Sequence, residues 1–365
     1  MAIDSVNPDL VPGGAGEAEI ARFIAGWLEA AGLDVHLEDA ESGRPSVVGV
    51  ARGRGGGRSL MLNAHVDTVG VEGMERPFEP RIEAGRLYGR GAVDMKSGLA
   101  AILLAGAWAV KAELAGDVIV TCVADEEVAS RGTEAVLRRW RADAAIVTEP
   151  TELDVCIAHK GFVWADVETQ GRAAHGSRPD LGVDAIVKMG PILSALGTLD
   201  QRLCAQPTHP LLGSGSVHAS LISGGQELSS YPAACKVRLE RRTIPGETPA
   251  TLERELAELT GGDANFEIGF SREPFEVDPE EPIVQAVRAQ AERVRGAAPR
   301  LYGATFWADT GLIQAAGIPT LLFGPGGAGE HSIVEWADLA QLEACVEILT
   351  AVAEEFCAEP AARLS

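Results

Sequence analysis

Basic side chains are scarce in this chain: 31 Lys and Arg stand against 53 Asp and Glu, a formal charge of -22 over 365 residues. Binding to a phosphate backbone depends on clustered Lys and Arg that displace counterions, so nucleic acid is excluded as a partner. The same field repels small anions, and a carboxylate-bearing ligand would need local positive groups such as metal ions or a positioned arginine. Long apolar runs are also lacking, and no run is long enough to cross a bilayer, so no membrane role is expected. The start, Met1-Ala-Ile-Asp-Ser5, has neither the basic residues nor the apolar stretch of a secretory leader, which makes the cytoplasm the expected location. Cysteines are few and scattered. None of Cys122, Cys156, Cys204, Cys235, Cys345 and Cys357 forms a CxxC pair, and buried reduced thiols are expected rather than disulfides.

What is present is an ordinary soluble composition, 46% hydrophobic and 23% charged, at a length that suggests two domains. Ile20, Phe23, Ile24, Trp27 and Leu28 recur at helical spacing up to a glycine stop at Gly32. Apolar runs of strand length follow at 46–50, 59–63, 118–122, 145–147 and 319–323. Helical stretches fall at 97–110 and 132–140, and a last helix is expected at about 337–356. This alternation argues an α/β layer structure. From about Gly161 to Phe270 the texture changes to half-buried strands at 161–169 and 233–240 with helices at 183–196 and 248–259, an α+β insert. The glycine-rich stretch 53–57 reads as a turn between strands, not a phosphate loop.

Five segments carry the chemistry. His65-Val-Asp67 follows the 59–63 strand, so the two side chains face the same way, one able to ligate and the other to orient it. Asp94 lies in a turn that runs into a helix; it reads as a helix-start acid or as a carboxylate bridging two cations. Asp125-Glu126-Glu127 ends the 118–122 strand, either as a solvated acidic turn or with Glu127 ligating and Glu126 facing a reacting water. Glu149 ends the next strand ahead of Pro150. His331 follows the last strand through the glycine-rich segment 324–329. All lie just after a strand or in its connecting loop, where open α/β sheets place their sites. Two histidines with three or four carboxylates suit two zinc ions, or manganese or cobalt in a similar site.

These residues resemble a known family, the metal-dependent M20 peptidases and amidohydrolases that include acetylornithine deacetylase, succinyl-diaminopimelate desuccinylase, aminoacylase and glutamate carboxypeptidase. The likeness runs through Asn63-Ala-His-Val-Asp67, Gly89-Arg-Gly-Ala-Val-Asp-Met-Lys96, Asp125-Glu-Glu127, Thr148-Glu-Pro150, Gly171-Arg-Ala-Ala-His-Gly176, Arg242-Thr-Ile-Pro-Gly-Glu247 and Glu330-His331. It implies a mixed-sheet α/β catalytic domain with helices on both faces, made of 1–160 and 273–365, and an inserted α+β lid and dimerisation domain over 161–272. It implies that Asp94 bridges two divalent ions, with His65 and Glu149 completing one site and Glu127 and His331 the other. Asp67 would orient His65, and Glu126 would be the general base. His175 would reach from the lid to hydrogen-bond the scissile carbonyl oxygen as charge develops there. Arg242, with Arg241 beside it as the alternative, would grip a substrate carboxylate.

The activity so implied is hydrolysis of an amide in a small carboxylate-bearing substrate by a homodimer, foremost an N-acyl amino acid deacylase. A dipeptidase or glutamate-carboxypeptidase-like enzyme is the alternative, and a non-catalytic metal-binding dimer a remote one. Glu149, a glutamate where aminopeptidase-like members tend to have aspartate, leans towards deacylases and carboxypeptidases. Leu228-Ser-Ser-Tyr-Pro232 departs from relatives that often carry asparagine ahead of that proline.

Overall fold

The computed structural model describes residues 1–39 and 43–360. The chain divides into two compact units. Met1–Ile157, Val277–Tyr302 and Ala308–Ser365 form the first, and Ala158–Glu276 with Gly303–Trp307 the second.

The first unit is a mixed α/β layer structure. Its sheet runs in the order Asp34–Asp39, Pro45–Ala51, Val118–Val123, Leu60–His65, Ala144–Val147, Thr320–Leu322, Val155–His159. The four strands Val118–Val123, Leu60–His65, Ala144–Val147 and Thr320–Leu322 are mutually parallel, and antiparallel strands flank them. The parallel strands are buried throughout, which is why they read as nearly continuous apolar runs in the sequence, interrupted at Asn63 and Thr121.

Helices cover both faces. Val48 and Val50 pack on one side with Val136 of helix Arg131–Leu137. Gly49 between them points the other way, where an added Cβ would meet Leu28 of helix Ala18–Ala31 at 2.9 Å. That helix stops where Gly32 turns left-handed at φ 93° and its N–H reaches back to the carbonyls of Leu28 and Glu29.

The sequence itself suggests no apolar run able to cross a membrane. Among the described residues one helical stretch, Ala92–Ala112, does reach the required length and composition, and 67% of its 18-residue apolar window is buried inside the fold. It packs along the C-terminal helix Leu339–Ala358 and the sheet, as a core helix does. Gly98 permits its close approach, since a Cβ there would lie 2.1 Å from the Thr148 carbonyl oxygen.

The second unit is an antiparallel four-stranded sheet in the order Ser216–Gly224, Ala234–Thr243, Gly161–Gln170, Asn265–Arg272. Helices Ala185–Ala205 and Pro249–Thr260 close its inner face over Val163, Val167, Val217, Val237 and Leu239, with Met189, Leu196, Leu252 and Leu256 from the helices. Strand Gly161–Gln170 alternates buried and outward positions, the pattern of a sheet with one covered face. His159 is buried here beside Phe275 and Trp307.

Candidate metal centre

The carboxyl ends of the parallel strands define the place. His65 is the last residue of Leu60–His65, Glu126 and Glu127 follow Val118–Val123, and Glu149 follows Ala144–Val147. Ligand sites in open parallel sheets form at this edge because the connecting loops diverge there and expose strand-end side chains.

Two donor groups come together in the first unit and share one residue. His65, Asp94 and Glu149 form one, and Asp94, Glu127 and His331 the other, with donor atoms of each group within 4.8 Å of one another. His65 Nε2 lies 3.0 Å from Asp94 Oδ1 and 3.8 Å from Glu149 Oε1. His331 Nε2 lies 3.3 Å from Asp94 Oδ2 and 3.2 Å from Glu127 Oε2. The two oxygens of Asp94 thus face the two imidazoles separately, as a carboxylate held between two cations must. Glu126 belongs to neither group.

The arrangement behind the donors is denser than the sequence showed. His65 Nδ1 is 3.0 Å from the backbone carbonyl of Asp67 and 3.5 Å from its carboxylate, so the main chain is the nearer acceptor. Either contact puts the proton on Nδ1 and turns the Nε2 lone pair towards Asp94 and Glu149. The Asp67 carboxylate accepts the backbone N–H of Glu126 at 3.1 Å on one oxygen and that of Glu127 at 3.2 Å on the other. One buried side chain therefore fixes the bend from which the two glutamates diverge.

Asp67 is held in turn by Asn7, whose side-chain N–H donates to it at 2.8 Å and to Asp125 at 3.1 Å. Asp125 sits at a left-handed φ of 69° and pairs with Arg44 and Arg131, so the first acid of the tripeptide serves the loop.

The electrostatics follow from crowding. Burial pushes the carboxyls of Glu126 and Glu149 well above the usual range; the field of His65 opposes this, and neighbouring carboxylates reinforce it. Burial also raises Glu127, against its hydrogen bond to His331. Asp94 goes the other way, because the hydrogen bonds of His331 and His65 outweigh its burial. His331, bonded to Asp94 and Glu127, rises to about 10. His65 is held well above its ordinary value although burial opposes its charge. Such a cluster carries more negative charge than its surroundings offset, and divalent cations would offset it. Imidazole nitrogen with carboxylate oxygen is the donor chemistry that zinc, cobalt and manganese accept.

Residues beyond the sequence reading join the site. Asp309 is buried at the start of helix Thr310–Ala315, with its carboxyl pushed up by burial to about 6 and bonded by Thr133 Oγ1 at 2.5 Å. Glu335, Asn7 and Arg44 had no motif to mark them. Lys96 is buried and donates to the Ile3 carbonyl, a structural contact.

His175 and the two arginines belong to the second unit. His175 is exposed and bridges to Ser230 through the main chain, with Nδ1 2.8 Å from Ser177 Oγ. Arg241 is fully buried between Glu247 and Glu255, while Arg242 is a third exposed, donates to Glu240 at 2.6 Å and lies over Phe162.

Carboxylates and imidazoles converging at the ends of parallel strands have the place and the chemistry of a hydrolytic centre. The sequence model of peptidase family M20/M25/M40 matches residues 61–355, and the chain belongs to that family of hydrolases. The chain is 30% identical to the N-formyl-4-amino-5-aminomethyl-2-methylpyrimidine deformylase of Bacillus subtilis (strain 168), over 90% of this chain and 87% of that protein. It is 32% identical to the acetylornithine deacetylase of Myxococcus xanthus, over 90% of each. Among solved structures, aminopeptidase PepT from Bacillus cereus superposes with a TM-score of 0.80 at 19% identity, covering 97% of this chain and 95% of that one, a likeness of fold.

Proposed function

We propose that this protein is a dinuclear metal-dependent deacylase that removes a short acyl group from the nitrogen of a small carboxylate-bearing amine. The observation that carries it is the sharing of Asp94 between the two donor groups with Glu126 beside them and in neither. Binding metal alone needs no spare carboxylate; hydrolysis does. The relatives support removal of a short acyl group, for which a deformylase and an acetylornithine deacetylase are both named.

In this reading Asp94 would hold both ions, with His65 and Glu149 completing one set and Glu127 and His331 the other. Divalent ions held there would polarise a carbonyl oxygen and lower the pKa of water. Glu126 takes the proton of the attacking water and returns it to the departing amine; burial, which raises its pKa well above the usual carboxylate range, suits both halves of that task. Asp67 keeps His65 in one tautomer. His175, whose Nδ1 is engaged by Ser177, has Nε2 free to donate to a developing oxyanion. Arg242 is the more available carboxylate fork of the two neighbouring arginines.

The test is a panel of N-formyl, N-acetyl, N-succinyl and N-carbamoyl amino acids alongside dipeptides, with the protein reconstituted in zinc, cobalt or manganese. Turnover is expected on N-acyl substrates, lost on dialysis against a chelator and restored by metal. Cleavage of dipeptides alone would replace the deacylase reading with a dipeptidase; no turnover on any compound would sink the enzymatic one.

A homodimer through the second unit is part of the proposal. Strand Ser216–Gly224 is an edge strand, with Leu221 and Ile222 exposed, and Ile186 and Val187 at the start of the neighbouring helix are exposed as well. Ile186 lies against Gly224, so the apolar residues adjoin. An open edge with apolar neighbours invites pairing with a second copy. Light scattering should give the mass of two chains for the wild type and of one for the double variant Leu221→Glu, Val187→Glu. A monomeric wild type would remove the dimer from the proposal.

A further inference from the structure

Glu335 is buried, 1% exposed, and among the described residues every hydrogen bond its carboxylate makes goes to one short turn. One oxygen accepts the backbone N–H of Val93 at 2.9 Å and of Asp94 at 3.2 Å. The other accepts the N–H of Gly91 at 2.8 Å and the Arg90 guanidinium at 2.7 Å. This turn departs from helical geometry at Asp94 and Met95, so its N–H groups find no partner in a regular ladder. Arg90, equally buried, spends its remaining N–H groups on two other loops. Its Nη2 donates to the Ser332 carbonyl at 3.0 Å, next to His331, and its Nε to the Gly70 carbonyl at 3.1 Å, just beyond Asp67.

A buried ion pair in itself says little about stability. The direction of these bonds says more, because the pair joins the turn that carries Asp94 to the loop that carries His331. The two donor groups differ in how much they need this. His65 is 1% exposed, anchored in a strand and oriented by Asp67, and Glu149 ends a buried strand. His331 is 57% exposed, stands at a left-handed φ of 56°, and owes its place to the loop.

Resting on the dinuclear reading above, we propose that Arg90 and Glu335 are positioning residues that set the Asp94–Glu127–His331 ion site, and leave the His65–Asp94–Glu149 site largely to its own strands. Outer partners of metal ligands typically alter affinity by about 10 to 100-fold.

The experiment titrates the metal-free full chain with cobalt(II), following visible absorption and heat, for the wild type, Glu335→Gln, Arg90→Lys and a His331→Ala reference. Wild type should take two ions per chain. Glu335→Gln should weaken one of them about tenfold or more, with the other within about threefold, and the weakened ion should carry the absorption band that His331→Ala abolishes. Arg90→Lys keeps a positive charge for Glu335 and loses the fork to Ser332, so it should weaken the same ion; it also serves if Glu335→Gln fails to fold. Equal weakening of both ions, or wild-type affinity for both in the two variants, would overturn the inference. A wild type that takes fewer than two ions would instead bring down the dinuclear reading beneath it.

Discussion

Glu126→Gln is expected to lower turnover by about 10³-fold or more while the chain keeps both ions, a loss of the size associated with removing a general base. Gln is nearly isosteric and leaves the fold of the bend intact, because the bend is held by main-chain bonds: the N–H groups of Glu126 and Glu127 go to the two oxygens of Asp67. That anchoring splits two chemically identical side chains by direction. Glu127 reaches His331 at 3.2 Å and joins a donor group, whereas Glu126 joins none. Burial raises the pKa of both, and Glu126 goes further, well above the usual range. The companion variant Glu127→Gln should lose one ion and with it activity. Metal content separates the two: if Glu126→Gln releases an ion and Glu127→Gln keeps both, the roles are exchanged. If Glu126→Gln retains a tenth of wild-type turnover, the base is elsewhere.

The parts of this site that could be read from sequence are those where local pattern and chemistry coincide. His65 and Glu149 stand at or just past the ends of nearly continuous apolar runs, and a fully buried parallel strand produces such a run. Asp94 and His331 lie in loops with no such run before them; the residues alone marked them only as candidates, and their division between two ions came from resemblance. The supports of the site were hidden for a physical reason. Asn7 meets Asp67 across 60 residues and Asp125 across 118, and Glu335 meets the Asp94 turn across more than 240, while three of its four partners are backbone N–H groups that leave no trace in residue type.

In the second unit, strand Ser216–Gly224 escaped notice because nearly all of it is exposed, so the buried and exposed alternation that marks a strand is missing. Helix Ala185–Ala205 runs past the expected end at 196, and past Pro191 inside it, because Leu199 and the half-buried Leu203 keep packing against the sheet.

Arg241 and Arg242 show how far one step along a strand separates two like residues, and the pair should respond to mutation in opposite ways. Successive side chains on a strand point to opposite faces. Arg241 turns inward, where its Nη2 meets Glu247 at 2.7 Å and its Nε meets Glu255 at 3.0 Å, and its guanidinium lies so close to Gly215 that a Cβ there would clash. Arg241→Met strips both glutamates of their partner in a buried setting, a change that costs about 3–5 kcal/mol. Roughly 10 °C or more off the thermal midpoint should follow. Lysine will not rescue it, because a single ammonium cannot replace the fork that spans two carboxylates.

Arg242→Ala should leave that midpoint within a few degrees, since its group is a third exposed and, among the described residues, ion-pairs with Glu240 on its own strand alone. Its effect belongs to substrate binding, a rise of roughly tenfold or more in KM for carboxylate-bearing substrates, the scale of a charged hydrogen bond. A wild-type midpoint for Arg241→Met would mean the buried ion pairs do not hold the unit together. An unchanged KM for Arg242→Ala would mean that another positive group, the metal ions included, meets the carboxylate that a chain of net charge -22 otherwise repels.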